Sequence, residues 1–244
     1  LPLEQKKIAK FILSSSLGQM SKMVFAIEKR KNKKHLKEYE VGSWVIGYWR
    51  PKTYFEINVW NVYEGRTKRL INASNKEGLA KYKKTKCKIN ITCNDAEKYL
   101  TKIKSKTFDL IITDPPHSDR IPYLELSEMW NTFLNYSPKL DKEFIYSNSI
   151  TRKKTLNTYL NKFEIIFKEI LRVLKNNGIF ILIFNTKEQL VWDFIKKLID
   201  DNKVNYLGKF SADYSANSVV QDNRKGALLN DWCLVISKIG RAHV

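Results

Sequence analysis

Residues 107–130, TFDLIITDPPHSDRIPYLELSEMW, constrain this chain more than any other stretch, because a strand, a rigid turn and a helix are written into one segment. Phe108, Leu110, Ile111 and Ile112 form a short apolar run of the kind that suits a central, buried parallel strand. The run stops at Asp114, which two prolines follow. Consecutive prolines fix φ and remove two backbone donors, so the turn offers a carboxylate and carbonyl oxygens. Ligands of open α/β sheets sit outside the C-terminal ends of the strands. The turn is therefore expected to meet a substrate that donates hydrogen bonds.

Strand and helix patterns alternate through most of the remaining chain. Apolar spacing over residues 6–30 predicts two helical pieces, broken near Ser14, Ser15, Ser16 and Gly18, and residues 29–37 read as a charged loop. Residues 43–60 hold six aromatics, Trp44, Tyr48, Trp49, Tyr54, Phe55 and Trp60, interleaved with Arg50 and Lys52. Such a mixture can stack bases and hold phosphates, or fill a half-buried strand pair. A helix over 59–70 and a lysine-rich connection over 76–88 follow.

Residues 87–93 alternate in the manner of a strand that ends at Asn94 and Asp95, with a short helix expected over 96–103. There Asp95 can accept from a ligand's amino or hydroxyl group, or cap the helix, and the two roles can coexist. Tyr123, Leu126, Trp130, Phe133 and Leu134 mark a helix face, and 136–149 a loop. Tyr159, Phe163, Ile166, Phe167, Ile170, Leu171 and Leu174 predict a long helix stopped by Asn176, Asn177 and Gly178. Residues 179–184 form an unbroken apolar run, a second buried parallel strand, before a helix over 187–200 and strands over 204–210 and 232–237. The expected class is α/β, with a doubly wound sheet.

A net charge of +19 and a pI near 9.7 favour a polyanionic partner, nucleic acid first. Lysine supplies 35 of the 44 basic residues, so codon bias in an AT-rich genome is the competing source of the charge. Cys87, Cys93 and Cys233 form no C-x-x-C, which argues against a zinc ribbon or disulfide framework and fits a reducing cytoplasm and no bound metal. No apolar run reaches the roughly 18 residues of a membrane span, and no signal-peptide pattern is present, so no membrane partner is expected.

Asp114-Pro115-Pro116-His117 resembles the D-P-P-[YFW] signature of S-adenosylmethionine-dependent DNA amino-methyltransferases, which modify adenine N6 or cytosine N4. The element order from Cys87 to Lys238 is similar to theirs, and DPPHSDRIPYLELSEMW with the later SVVQDNRKGAL looks like a group of bacterial and phage-type DNA methylases. The resemblance implies a Rossmann-like methyltransferase sheet, S-adenosyl-L-methionine as cofactor and double-stranded DNA with a flipped base as substrate, in a restriction-modification setting. It also implies roles. The Asp114 carboxylate and the Pro115 carbonyl would accept the two amine hydrogens and aim the nitrogen lone pair at the methyl sulfonium, with Pro116 stiffening the turn. The fourth residue would stack on the flipped base. Asp95 would lie beside the cofactor's adenine. Ser118, Asp119, Arg120 and Tyr123, with Asn223 and Arg224 of the later loop, would touch the substrate.

Two departures stand out. The fourth motif position is His117, whose imidazole can stack but can also titrate or hydrogen-bond. None of the nine glycines forms the G-x-G on which such enzymes hold the cofactor's methionine part. The expectation is a sheet incomplete at its N-terminal side, the loop lying upstream of Leu1. The expected division is a helical and aromatic-basic segment over 1–75, the catalytic part over 76–238 and a non-native tail over 239–244. An RNA base methyltransferase and a catalytically incomplete nucleic-acid-binding module are the alternatives.

Overall fold

The computed structural model describes residues 1–28, 39–44, 49–76, 88–118, 121–213 and 230–238. Its elements in chain order are α1 (Leu3–Ser16), β1 (Val24–Glu28), β2 (Tyr39–Trp44), α2 (Val59–Lys76), α3 (Ala96–Leu100), β3 (Phe108–Thr113), α4 (Tyr123–Leu126), α5 (Glu128–Leu134), α6 (Leu156–Val173), β4 (Leu174–Phe184), α7 (Gln189–Asp201), β5 (Asn205–Asp213) and β6 (Asn230–Ser237). The chain divides into two compact units, one of residues 1–91 and 123–138, the other of 92–122 and 139–244.

In the first unit β1 and β2 form an antiparallel hairpin pair. The second helical piece expected after Gly18 is instead a run of turns leading into β1. β-branched Val24 is fully buried there, and a Cβ on Gly18 would lie 2.1 Å from the Trp44 ring, so the close approach needs glycine. Trp130 donates its indole N–H to the Ser14 carbonyl at 2.9 Å and tilts against Trp44 at 5.7 Å between ring centroids. The aromatic segment is split: Trp44 serves packing, while Trp49 and Trp60 are exposed.

In the second unit the sheet order is β3-β4-β6-β5, with β3 and β4 parallel and the other two pairings antiparallel. Helix α6 starts at Thr155, whose side chain accepts from the Thr158 N–H at 3.2 Å. Its stripe of Tyr159, Phe163, Phe167 and Ile170 shares one core with Phe180, Leu182 and Phe184 of β4, Val191 and Ile195 of α7 and Ile236 of β6. The α/β class expected from the sequence is the class of this unit.

Three expectations are corrected. The strand expected over 87–93 is not formed by its described part: residues 88–93 join no sheet among the described residues, and Ile89 and Ile91 stand exposed. Alternation supplies an apolar edge, but a strand also needs a neighbour's backbone. The long helix ends at Val173 rather than at 176–178, because Leu174 turns extended and fully buried, and residues between Leu174 and Ile179 loop out of register against β3. Strand β3 is not buried on both faces. Ile111 packs on the core, while Leu110 and Ile112 are 52% and 57% exposed, and among the described residues β3 pairs only with β4.

Candidate active site

Parallel pairing brings the ends of β3 and β4 together, so the turn after Thr113 lies beside Phe184, Asn185 and Thr186. The turn is held at two points. The Tyr159 hydroxyl of α6 donates to the Pro116 carbonyl at 2.7 Å, and the Ser118 hydroxyl pairs with that of Thr186 at 2.6 Å. Thr186 is itself fixed: its N–H donates to the Asn185 side chain at 2.9 Å, and its carbonyl accepts from the Trp192 indole at 3.0 Å. The Asn185 amide in turn donates to the Asn230 carbonyl of β6. Anchored at both ends, the turn leaves the Asp114 side chain 68% exposed. The Pro116 carbonyl is occupied, whereas the Pro115 carbonyl has no protein donor among the described residues.

His117 points the other way, into the protein. Its side chain is 14% exposed and meets Phe184 edge-on, with centroids 4.9 Å apart and planes at 61°. Nε2 lies 3.4 Å from Asp114 Oδ1, and Nδ1 lies 4.0 Å from Asp231 Oδ1 on β6. The first distance serves an ion pair when the ring is charged but lacks the alignment of a hydrogen bond, so Nε2 is buried without a hydrogen-bond partner. Cys233, two residues beyond Asp231, is buried, and burial followed by the Asp231 and Asp114 charges pushes its thiol above the usual range.

Asp95 caps α3, accepting from the Lys98 N–H at 3.3 Å, while its other oxygen lies 3.5 Å from Lys162 Nζ of α6. Burial pushes this carboxyl up, but the Lys98 N–H, the Lys162 ammonium and the Glu97 N–H together outweigh it and hold the group below its ordinary value. Both sequence-level roles remain open to it, with capping the one it performs here. Next to it an apolar cavity of about 190 Å³ lies among Ala96, Asp114, Pro115, Pro116, Phe163 and Leu182. That is smaller than the roughly 300–1,000 Å³ usual for small-molecule sites, room for a ring rather than for a whole cofactor.

Of the other expected substrate residues, Ser118 is buried in its hydroxyl pair, and Tyr123 opens α4 in the first unit, half-exposed. Asp119, Arg120, Asn223 and Arg224 lie outside the described residues. Sequence reasoning missed Asp231, Phe184 and Thr186 as parts of the site and placed Tyr159 only on a core stripe. The run of Asn185 and Thr186 directly after an apolar strand was the one available signal, since polar residues at a strand's C-terminal end mark a ligand edge. Among the described residues no group of three His, Cys, Asp or Glu side chains could hold a metal ion, and no helix is long and apolar enough to cross a membrane.

No protein-family profile matches the chain, and no curated protein matches it. Among solved structures it is similar to a proposed DNA modification methylase of Thermus thermophilus. The similarity has a TM-score of 0.34 at 14% identity for one form of that protein, over 60% of this chain and 52% of that one. Against the same protein complexed with S-adenosyl-L-methionine the TM-score is 0.35 at 12% identity, with the same coverage. This chain spans about half the length of the structures it matches. At that distance the likeness carries no argument about what the chain does.

Proposed function

We propose that the second unit is the base-gripping part of an S-adenosylmethionine-dependent methyltransferase that acts on an exocyclic base amine in double-stranded DNA, adenine N6 foremost. The observation that carries this reading is the turn itself: an exposed Asp114 carboxylate next to a Pro115 carbonyl that has no protein donor among the described residues, on a turn made rigid by two prolines and by the Tyr159 hydroxyl. An exocyclic amine is a poor nucleophile because its lone pair is delocalised into the ring. Two acceptors that take both N–H groups draw the nitrogen toward a tetrahedral form and orient its lone pair. The amine of a paired base is buried in the duplex, so the base must leave the stack to reach the turn.

The chain's residues fit one end of the cofactor. The apolar cavity lined by Ala96 suits a flat ring, and Asp95, its neighbour in sequence, would accept from an amino or hydroxyl group there. Bound there, the cofactor would supply an electrophilic methyl group. No glycine pair in the chain offers a cradle for the cofactor's methionine end. The second reading is a nucleic-acid-binding module without catalysis; an RNA base methyltransferase is the other competitor.

Methyl transfer from labelled cofactor to duplex DNA tests the first reading. Transfer should be lost in Asp114→Ala, and retained activity there would sink the mechanism. Calorimetry with S-adenosylmethionine separates the module, which would bind none, and competition between RNA and duplex DNA separates the substrates. DNA affinity should fall steeply with salt if the +19 charge works on phosphates.

A further inference from the structure

We infer that His117 is the site's proton acceptor rather than a stacking ring: its buried Nε2, beside Asp114, takes the proton that Asp114 receives from the amine. The inference rests on the methyl-transfer reading.

A stacking residue must present a flat face to the base. His117 is instead drawn into the protein, its side chain only 14% exposed and set edge-on against Phe184. What the ring turns toward the turn is its Nε2 edge, buried, without a hydrogen-bond partner and 3.4 Å from Asp114 Oδ1. Its opposite nitrogen faces Asp231, whose side chain is 15% exposed. For Nε2 to accept a proton, the ring's own proton must sit on Nδ1, the nitrogen that faces Asp231.

Methylation of an amine creates the need for such a group. The nitrogen lone pair forms the new N–CH₃ bond while the S–CH₃ bond breaks and leaves its electron pair on sulfur, so the product nitrogen is cationic and must shed one proton. Asp114, already accepting that N–H, receives it. Imidazole is the stronger base of the two side-chain types, so the proton moves on to His117 Nε2, and Asp114 returns to its charged form. The resulting imidazolium lies between two carboxylates and later loses its proton to solvent. Among the described residues, the titratable groups near the ring are Asp114 of its own turn and Asp231 and Cys233 of β6. The α6 hydroxyl of Tyr159 is committed to Pro116, the hydroxyls of Ser118 and Thr186 to each other, and the cation Lys209 of β5 lies over Trp232 at 3.9 Å.

Nitrogen-15 NMR of the full chain tests the arrangement without requiring turnover, since the chain has only three histidines, His35, His117 and His243, and His117→Gln assigns the signal. In its neutral form His117 should carry its proton on Nδ1, and Asp231→Asn, nearly the same size, should move it to Nε2. A wild-type ring protonated on Nε2 overturns the proposal. In transfer assays His117→Phe, which keeps a stacking face, should lower kcat by about 10²-fold or more with KM for DNA little changed, the size expected for a lost general base. Full activity in His117→Phe overturns the proposal. No transfer by wild type would overturn the methyl-transfer reading and the relay with it, while the tautomer result decides the Asp231–His117 pair separately.

Discussion

Replacing Tyr159 by Phe removes one oxygen and leaves the rest of a ring that is 1% exposed. Its stack on Phe144, with centroids 4.8 Å apart and planes at 11°, and its contact with Phe163 survive, so no cavity opens. What is lost is the 2.7 Å hydrogen bond to the Pro116 carbonyl. A neutral hydrogen bond contributes about 0.5–1.5 kcal/mol net, and a partner left buried and dry costs about 1–3 kcal/mol. Pro116 is half-buried, so water can reach its carbonyl in part and the lower figure applies, about 1 kcal/mol. Urea unfolding should show that loss with an unchanged m value. Tyr159→Ala, which also empties the core, should cost about 3–5 kcal/mol. Methyl transfer should suffer more than stability, because a turn displaced by about 1 Å can cost about 10²-fold in rate. A Phe variant as stable and as active as wild type would refute the role given to this hydroxyl.

Two further outcomes follow from the charged groups near the turn. Because Asp95 is held below its ordinary value in the fold, its contribution to stability is present above the unfolded value of about 3.9 and is lost as pH falls through the folded one. The stability difference between wild type and Asp95→Asn should therefore shrink below about pH 4; a difference constant with pH would contradict the Lys162 and N–H contacts as its cause. The Cys233 thiol is pushed up, so the stability it contributes is present below the unfolded value of about 8.5 and fades as pH rises beyond it. In a Cys87→Ser background a thiol reagent should label exposed Cys93 well before buried Cys233, with mass spectrometry locating the adduct; equal rates would contradict that burial.

Much of the second unit was legible because its signals are local. The stripe on α6, the apolar run of β4 and the amphipathic α7 each declare themselves within about ten residues, and each formed, with only their ends displaced. The stretch over 87–93 misled because alternation describes a face, not a partner. β3 misled in a related way: its sequence is that of a buried strand, yet the described residues give one edge and one face of it no cover.

The sequence by itself determined that a carboxylate and two prolines would end a strand, since φ restriction and missing donors are properties of those residues wherever they stand. It could not determine which way His117 turns. Its resting place depends on Phe184, its polar edges on Asp114 and Asp231, and Asp231 comes 114 residues later, on a strand that reaches the site only by antiparallel pairing with β4. Contacts of that range leave no local pattern, because nothing in the chemistry of Asp231's neighbours in sequence requires an imidazole nearby. Only the packed sheet puts the carboxylate against the ring, and with it changes the fourth residue of the turn from a surface for a base into a group that can take a proton.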